Sequence, residues 1–404
     1  MTEFNNFYRP LVGPLFAPTF FTAVLFGIAT PVLPLYLQDV GASYAVIGTV
    51  ISGLAIGRLL ATLPSSGALS RLSMRQAMLF GLAVLTAALL SMALVDSLLV
   101  LFISWLLAGT GTALYEMARH QFIAIHIPNH HRGRAVAIVG GSFRLGNVVG
   151  PALGGWTAQL YGFRTSFLLM AGLAAATAVI VSFYLPHQPT SQEPFSLRAY
   201  AGELRSTFQA NRRVLLVAGS GQLLMQLVRR SRSVILPLYA AYLGLDVAAV
   251  GIVVSIGSML DTTMFIPAGV IVDKYGRKAA IIPSLILQAL GLFLLPLASG
   301  FASLVGVAGL MGLGNGISAG TMLTLGADLA PEKDRTPFLG LWRVSNSLGF
   351  ALGPNVVGAV AAMMTLPLAS IAAGFIGIFA AGLFYQFIPE TLKNGAQTSA
   401  GLAD

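Results

Sequence analysis

Long apolar stretches dominate this chain of 404 residues and restrict its fold more than any other feature. Hydrophobic residues make up 56% of the sequence and charged residues only 9%, so the chain cannot dissolve in water as a globule. A helix needs about 20 residues to cross a bilayer. Twelve stretches reach that length, which predicts an all-α membrane protein with twelve transmembrane helices. We place these spans at 14–37, 44–66, 76–95, 98–125, 134–159, 164–186, 213–242, 247–272, 279–298, 302–329, 337–363 and 366–388.

The second half of the chain repeats the first at an offset of 203 residues, the distance from Pro34 to Pro237. Pro34-Leu35-Tyr36 recurs as Pro237-Leu238-Tyr239, and Gly150-Pro151 recurs as Gly353-Pro354. A period of about 200 residues is too long for a solenoid unit and fits a duplicated membrane domain. The repeat predicts two pseudo-symmetric six-helix bundles. Their expected bounds are 1–186 and 213–390, with a cytoplasmic linker at 187–212 and a cytoplasmic tail at 391–404.

Basic residues lie almost entirely on one side of the predicted spans. Most of the 23 Lys and Arg fall in loops on the side that holds both termini, whereas the other side holds only Arg164. Because loops that stay in the cytoplasm accumulate Lys and Arg, we expect both termini in the cytoplasm and the chain in the inner membrane. The net charge of +9 then requires no nucleic-acid partner. The N-terminus lacks the pattern of a cleaved signal peptide, so the first span is expected to be retained.

The second part of the linker has an amphipathic pattern. Leu197, Tyr200, Leu204 and Phe208 recur at helical spacing, and the basic residues of this segment face elsewhere. The pattern is compatible with a helix that lies on the inner leaflet. A tether that only joins the two halves is the simpler interpretation.

Two glycine-rich motifs resemble those of a known family. Gly269–Lys278, between spans 8 and 9, matches the cytoplasmic loop motif of the major facilitator superfamily (MFS) of transporters. Gly146–Gly155, in span 5, matches the antiporter motif of that family. The chain is thus similar to the MFS over its whole length, and to its drug/proton antiporter branch in particular. The resemblance implies the MFS fold, with spans 1, 4, 7 and 10 around a central cavity.

Each motif also has a physical interpretation. In the loop motif, Gly269 belongs to a turn between two spans, and Asp273 and Arg277 can pair with each other or with a neighbouring helix end. We predict a gating latch between the halves that also includes Asp328. The corresponding loop of the first half has Arg71 at the acidic position, so we expect that latch to be lost.

In span 5, Gly146, Gly150 and Gly154 share one flat helical face, and Pro151 removes a backbone hydrogen bond. We expect that face to contact a helix of the other half. The resemblance implies that this segment limits proton leak. The exporters of the family often carry Arg early in span 4, where this chain has Trp105, so the proton-transfer role of that Arg is not carried over.

Three arginines lie about halfway across span 7. Arg229 and Arg232 share a face and can bind a carboxylate, phosphate or sulfonate, whereas Arg230 points about 100° away. Burying three arginines in one span costs several kcal/mol, so a use or a partner must offset that cost. The alternative to substrate binding is pairing with Asp261 and polar backbone for stability. The residues at the repeat-equivalent positions of span 1 are Phe26, Gly27 and Ala29.

Other charges inside the spans are candidates for coupling. Arg58 and Asp261 occupy equivalent positions of the two halves and either form a midplane ion pair or serve separate roles. If Asp261 lies beside Arg229 or Arg232, its protonation would free an arginine and couple proton binding to anion release. Glu116 is the second candidate proton carrier, although an ion pair with Arg119 is the more ordinary expectation. Arg230, Arg144 and Arg58 complete the predicted substrate-binding set, Arg144 also as a bridge between the halves.

The sequence therefore predicts a secondary transporter that moves a small organic solute, anionic or zwitterionic, by alternating access, outward in exchange for protons. The alternatives are uptake of an organic anion, export of lipophilic cationic drugs, and lipid flipping. No run of residues offers a nucleophile with its base or a metal-ligand motif, so we expect no enzyme activity, no cofactor and no metal. Cysteine is absent, and a monomer is expected.

Overall fold

The structure is a computed structural model that describes residues 7–69, 72–185 and 197–392, with the backbone alone described at 62–69 and 197–200. In these residues the regular elements are helices. Short 3-10 and π-helical turns at Arg9–Leu11 and Val12–Phe16 precede the first long helix. The α-helices are α1 (Ala17–Asp39), α2 (Tyr44–Leu69), α3 (Met74–Leu94), α4 (Leu98–His126), α5 (Asn129–Tyr161), α6 (Phe163–Tyr184), α7 (Leu197–Ala210), α8 (Arg212–Tyr242), α9 (Val247–Thr263), α10 (Phe265–Tyr275), α11 (Arg277–Leu294), α12 (Phe301–Ile317), α13 (Thr321–Leu329), α14 (Arg335–Met363) and α15 (Leu366–Phe387).

These helices coincide with the twelve predicted spans, and α7 lies in the linker. By length and apolar composition, nine helical segments of the described residues can cross a membrane, or ten when α9 and α10 count as one span bent by 41°. The two predicted spans outside that set are α8 and α14. Arg229, Arg230 and Arg232 lower the apolar character of α8, and Arg343 and Asn346 lower that of α14. Such helices need protein neighbours rather than lipid around their polar faces.

Two spans of the second half are broken, each for a local reason. Pro267 lies in the first turn of α10, where its ring would clash with the carbonyl group four residues earlier, so α9 ends at Thr263. The other break follows α12, which ends at Ile317. There Gly320 adopts a positive φ of 77°, a conformation that glycine accepts without strain. This break places the carbonyl group of Ser318 at the end of α12, outside its helical ladder.

The two halves meet backbone to backbone at the helix ends farthest from the chain termini. The start of α2 packs on the end of α14, and the start of α9 packs on the end of α5. A Cβ atom at Gly48 would collide with the carbonyl oxygen of Pro354, and one at the equivalent Gly251 would collide with that of Pro151. We call these two contacts the seam. The seam follows the pseudo-symmetry of the repeat.

Hydrogen bonds of two equivalent serines reinforce the seam. The hydroxyl group of Ser52 donates to the carbonyl oxygen of Ala351 at 2.6 Å. The backbone N–H of Ala152 donates to the Ser255 hydroxyl at 2.9 Å. Each bond joins one half to the other. In each case one of the two helices, α14 or α5, contains a proline.

The flat glycine face of α5 does not contact the other half, so that prediction is wrong. A Cβ atom on Gly146, Gly150 or Gly154 would lie 2.5–2.8 Å from atoms of α1, which belongs to the same half. The contact with the other half is made by Gly155, whose Cβ would lie 3.0 Å from the Cα of Gly251. Residue 155 is turned about 100° from residue 154 around the helix, so α5 uses one glycine face for each neighbour.

The amphipathic part of the linker is the helix α7, which packs on α14. Leu204 is half-buried and Phe208 is 40% exposed, so part of its apolar face remains uncovered by protein. Its position on the inner leaflet stays a prediction. Residues 187–196 of the linker, residues 393–404 of the tail and Arg71 lie outside the described residues.

Candidate functional site

A cavity with two lobes lies between the halves. The larger lobe, about 460 Å³ in volume, is lined by Arg144, Arg229, Arg232 and Asp261, and we call it the cationic lobe. The smaller, about 160 Å³, is lined mainly by apolar side chains of α1, α2 and α4, and we call it the apolar lobe. Six residues line both lobes, which makes the cavity continuous. They are Thr30, Phe143, Asn147, Arg230, Ser233 and Phe350.

An ion pair in the cationic lobe connects the two halves. Nη1 of Arg144, on α5, lies 3.2 Å from Oδ1 of Asp261, on α9. The side-chain amide of Asn315 donates to the other carboxylate oxygen of Asp261 at 2.5 Å. Asp261 thus receives its hydrogen bonds from Arg144 and Asn315, and not from Arg229 or Arg232, the pairing that the sequence left open as an alternative. The pair is 16–20% exposed, so solvent reaches it through the cavity.

The hydrogen-bond and ring partners of the α8 arginines are neutral groups. Nη2 of Arg229 donates to Oγ of Ser318 at 2.6 Å and to the carbonyl oxygen of that residue at 3.3 Å, at the break after α12. The guanidinium carbon of Arg230 lies 3.4 Å from the ring centroid of Phe350. Nη1 of Arg232 is buried and has no hydrogen-bond partner in the described part of the protein. Arg229, Arg230 and Arg232 therefore lie together at one cavity, and their binding of a substrate stays a prediction.

A second ion pair lies at the apolar lobe, within the first half. Nη2 of Arg58, on α2, is 3.0 Å from Oε1 of Glu116, on α4. The expected pair of Glu116 with Arg119 is therefore wrong, because Arg119 turns toward α1 and donates to the hydroxyl of Thr19 at 3.3 Å. Arg58 and Asp261 have separate partners, which decides between the two alternatives for these equivalent positions.

The charges of the cavity do not balance. Two ion pairs, one in each lobe, neutralise two arginines and both acidic side chains. The three arginines of α8 remain, and in the described residues none of them is at ion-pair distance from a carboxylate. Unpaired guanidinium groups in a site of low dielectric attract an anion strongly. The charged side chains that line the cavity are Arg58, Arg144, Arg229, Arg230, Arg232, Glu116 and Asp261.

Comparison with known proteins agrees with this architecture. A family model described as "Major Facilitator Superfamily" matches the chain twice, at residues 15–221 and 218–401. The chain belongs to the major facilitator superfamily. Its fold is that of a multi-pass membrane transporter and not of an enzyme, which confirms the fold class predicted from the sequence.

The relatives of this MFS transporter include proteins of known and unknown cargo. It is 26% identical to "Multidrug resistance protein MdtH" of Klebsiella pneumoniae over 73% of this chain and 74% of the relative. It is 23% identical to the "Chromaffin granule amine transporter" of Homo sapiens over 83% of this chain and 64% of that protein. A crystal structure of a POT family transporter in complex with a thioalcohol conjugated peptide superposes with a TM-score of 0.81 at 14% identity, covering 95% of this chain and 96% of that one.

The loop motif of the transporter forms contacts within the second half alone. Nε of Arg277 lies 2.7 Å from Oδ2 of Asp328, and the Glu390 carboxylate accepts the backbone N–H groups of residues 277 and 278 at 2.9 Å. All these groups belong to one half, so a latch between the halves is not present in this conformation. Asp273 takes no part in these contacts. Gly269 lies inside α10, and the turn is made by Gly276 with φ 95°.

Glu390 was not predicted as a site residue, because the four-residue motif at 388–391 does not show which groups its carboxylate would contact. Partial burial raises the pKa of its carboxyl group. Hydrogen bonds from four backbone N–H groups outweigh that effect and hold the pKa below its ordinary value. The carboxylate acts as a cap for the first turn of α11. The hydroxyl of Thr391 joins the cluster by donating to Asp328 at 2.7 Å.

Three cavity residues also escaped prediction. Asn315 holds Asp261, Ser318 holds Arg229, and Phe350 supports Arg230. Asn315 had a usable signal, since it is a lone amide between two glycines in an apolar span. Phe350 had none, because a phenylalanine in a transmembrane helix more often faces lipid or packs than it supports a charge.

Proposed function

We propose that this MFS transporter moves a small organic anion or zwitterion out of the cell by alternating access, in exchange for protons, and that it works as a monomer in the inner membrane. The observation that carries the proposal is the group of three α8 arginines without carboxylate partners. Guanidinium groups bind carboxylates and phosphates with paired N–H donors. Arg229 and Arg232 would contact the anionic group directly, with Arg230, Arg144 and Arg58 as further contacts.

The arrangement of the halves supports loading from the inside. The seam closes the helix ends that lie farthest from the two termini. With both termini in the cytoplasm, as the distribution of Lys and Arg indicates, the closed end is the outer one. The cavity then faces the cytoplasm, which is the state in which an exporter takes up its cargo. Repacking of this seam would be the step that opens the outer side.

Proton coupling follows from the partners of the two acidic residues. Protonation of Asp261 would remove the charge that holds Arg144 across the halves, so that the halves could return with a proton and without cargo. Glu116 holds Arg58 in the same manner within the first half. Asp261 is the stronger candidate because its pair joins the moving halves. Gly146, Gly150, Pro151 and Gly154 would contribute by keeping α5 against α1.

Export of cationic drugs is the second candidate, because the names of MdtH and the amine transporter point to multidrug resistance and to amines. The charges of this cavity oppose it. A cation would find both acidic side chains already paired and would meet three free arginines. The same charges would also serve a transporter that takes an organic anion into the cell. They would serve a flippase as well, whose cargo, an anionic lipid, is larger.

Binding can be tested on the purified protein by thermal stabilisation. A panel of organic anions and matched cations would be added to the wild type, Arg229→Gln and Arg232→Gln, with Arg213→Gln as a control on an exposed part of the same helix. We expect stabilisation by anions that is lost in both cavity variants and kept in the control. Stabilisation by cations that survives all three changes would contradict the proposal and favour the cationic-drug exporters.

Coupling and direction need a transport assay. The protein would be reconstituted in liposomes that contain a pH-sensitive dye, and a bound anion from the panel would be added on either side. Net proton movement opposite to the anion is expected for the wild type and for Glu116→Gln, and its loss is expected for Asp261→Asn. Proton and anion movement in the same direction would replace export with symport.

A further inference from the structure

We infer that the cargo has two chemically distinct ends, an anionic group and a planar apolar body about the size of one aromatic ring, which the two lobes hold at the same time. The inference rests on the proposed function and names the substrate class of that site. Three observations carry it. They are the apolar walls of the smaller lobe, the residues that line both lobes, and the repeat, which gives equivalent positions of α1 and α8 different side chains.

The apolar lobe has the walls and the size to hold an aromatic ring. Phe26 and Trp105 meet edge to face, with ring centroids 6.2 Å apart, and Leu33 and Ile51 complete the wall. The indole N–H of Trp105 is satisfied by the carbonyl oxygen of Ile51 at 3.2 Å, so this wall offers the cargo apolar surface. The volume of about 160 Å³ matches apolar cavities of about 150 Å³ that take up benzene.

The two lobes meet at Arg230, which lines both of them. Its guanidinium group is stacked on the ring of Phe350, which fixes its plane and leaves its in-plane N–H donors for another partner. Arg232 follows two residues later with a buried Nη1 that has no hydrogen-bond partner among the described residues. Because Arg230 lines both lobes, an anionic group that Arg229 and Arg232 hold in the cationic lobe adjoins the entrance of the apolar lobe.

The repeat explains why the two ends are recognised from opposite sides. Arg229 in α8 and Phe26 in α1 occupy equivalent positions of the two halves, 203 residues apart. The same helical position therefore supplies a cation to one lobe and an aromatic wall to the other. A cargo that fills only one lobe would leave either three arginines without an anion or an apolar surface exposed to water.

Matched small probes test the inference on the full-length protein by isothermal titration calorimetry. The probes are 3-phenylpropionate, propionate, which lacks the ring, and 3-phenylpropylamine, which has the opposite charge. The variants are Arg232→Gln for the cationic lobe, and Phe26→Ala and Ile51→Ala for the apolar lobe. The controls are Arg213→Gln and Phe183→Ala, whose side chains are exposed away from the cavity.

We expect 3-phenylpropionate to bind at least about ten-fold more tightly than propionate, because its ring leaves water for the apolar lobe. Phe26→Ala and Ile51→Ala should remove most of that advantage and leave propionate binding unchanged. Arg232→Gln should weaken both anions about ten-fold, and both controls should behave as the wild type.

The outcomes separate this inference from the proposed function. If the two anions bind equally, or if the advantage of the ring survives both apolar-lobe variants, the inference is overturned. The proposed function then still stands, provided that Arg232→Gln weakens propionate. If both anions bind the Arg232→Gln variant as tightly as the wild type, or if 3-phenylpropylamine binds best, the proposed function fails together with the inference.

Discussion

The two halves of this transporter share a backbone plan but differ in the chemistry they present to the cavity. At the seam they are equivalent, since Gly48 meets Pro354 as Gly251 meets Pro151. At the cavity they differ, since α1 offers aromatic and aliphatic walls and the equivalent helix α8 offers three arginines. Duplication therefore preserved the contacts on which movement depends and left the cavity positions free to diverge.

The divergence has a steric component. A Cβ atom on Gly27 would lie 2.9 Å from the Cα of Gly150, so α1 and α5 are too close for any side chain there. The equivalent pair in the second half is Arg230 and Gly353. There the Cβ of Arg230 lies 2.8 Å from the place that a Cβ on Gly353 would occupy. The helices α8 and α14 thus leave room for a side chain that α1 and α5 exclude. An arginine at position 27 would require the first half to repack.

The largest effects are expected from substitutions that break the symmetry of the seam. Gly48→Ala and Gly251→Ala each place a methyl group against a backbone carbonyl of the other half, which should separate the halves at the seam. The chain contains no cysteine, so Asn147→Cys is a clean reporter inside the cavity. We expect an impermeant maleimide added outside intact cells to label this cysteine at least about ten-fold faster in either variant, a shift of about 1.4 kcal/mol.

Gly306→Ala is the matched control for this experiment, because a Cβ on Gly306 has no neighbour within 4 Å. It should leave the labelling rate unchanged. If Gly48→Ala increased the labelling rate and Gly251→Ala did not, the two seam contacts would not be equivalent during transport.

The two ion pairs give the next largest difference, because one crosses the halves and the other does not. Asp261→Asn leaves the guanidinium group of Arg144 without a counter-charge in a partly solvated cavity, at a cost of about 2 kcal/mol. Glu116→Gln disrupts the more exposed pair with Arg58 and should cost about 1 kcal/mol. Thermal unfolding in detergent measures both costs.

The maleimide assay separates the two pairs further. Only Asp261→Asn should increase cavity labelling from outside, since only its pair joins the halves. The double variant Arg144→Gln with Asp261→Asn should recover part of the lost stability, because the guanidinium group that lost its counter-charge is also removed. Equal labelling in Asp261→Asn and Glu116→Gln would show that the Arg144 pair does not restrain the halves.

The sequence predicted the helices well and the partners of the charges poorly, for physical reasons. Apolar length and the 203-residue repeat depend on the chain alone, so α1 to α15 follow closely from them. The partner of Asp261 depends on how α9 is rotated against α5 and α12, which a single sequence does not specify. The same rotation turned Gly155, and not Gly150, toward the other half.

A smaller effect is expected where the two lobes meet. Arg230→Lys keeps the positive charge but loses the planar stack on Phe350, so the cation is less well positioned for an anion. We expect the affinity for 3-phenylpropionate to fall about five-fold, which corresponds to about 1 kcal/mol. Arg213→Lys, on the exposed part of α8, is the control. An unchanged affinity in Arg230→Lys would mean that charge alone, and not the fixed plane, is what the second half adds at this position.

The smallest effect concerns the loop motif. The second half has a cluster of Arg277, Asp328 and Glu390, whereas Ile125 occupies the position equivalent to Asp328 in the first half. Glu390→Gln should lower the free energy of unfolding by about 1 kcal/mol at pH 7, since it weakens a charged cap on backbone N–H groups.

This effect should depend on pH in a defined direction. Folding lowers the pKa of Glu390, so its contribution is complete above the unfolded value of about 4.5 and is lost as pH falls through the lower folded value. The difference in unfolding midpoint between wild type and Glu390→Gln should therefore shrink below about pH 4.5. Glu203→Gln, on the exposed face of α7, should match the wild type throughout. A difference that stays constant down to pH 3.5 would refute the assignment of Glu390 as a charged cap.

The break between α12 and α13 gives Arg229 a counter-charge that cannot be titrated. The last turn of α12 ends in carbonyl groups that carry about half a negative charge together, and the carbonyl oxygen of Ser318 accepts from Arg229. A carboxylate in that place would lose its negative charge by protonation in an acidic compartment. A peptide carbonyl group is not protonated while the protein is folded. This partner of Arg229 is thus the same on both sides of a pH difference. If transport is coupled to protons as proposed, the acidic side chains that line the cavity, Asp261 and Glu116, take that role.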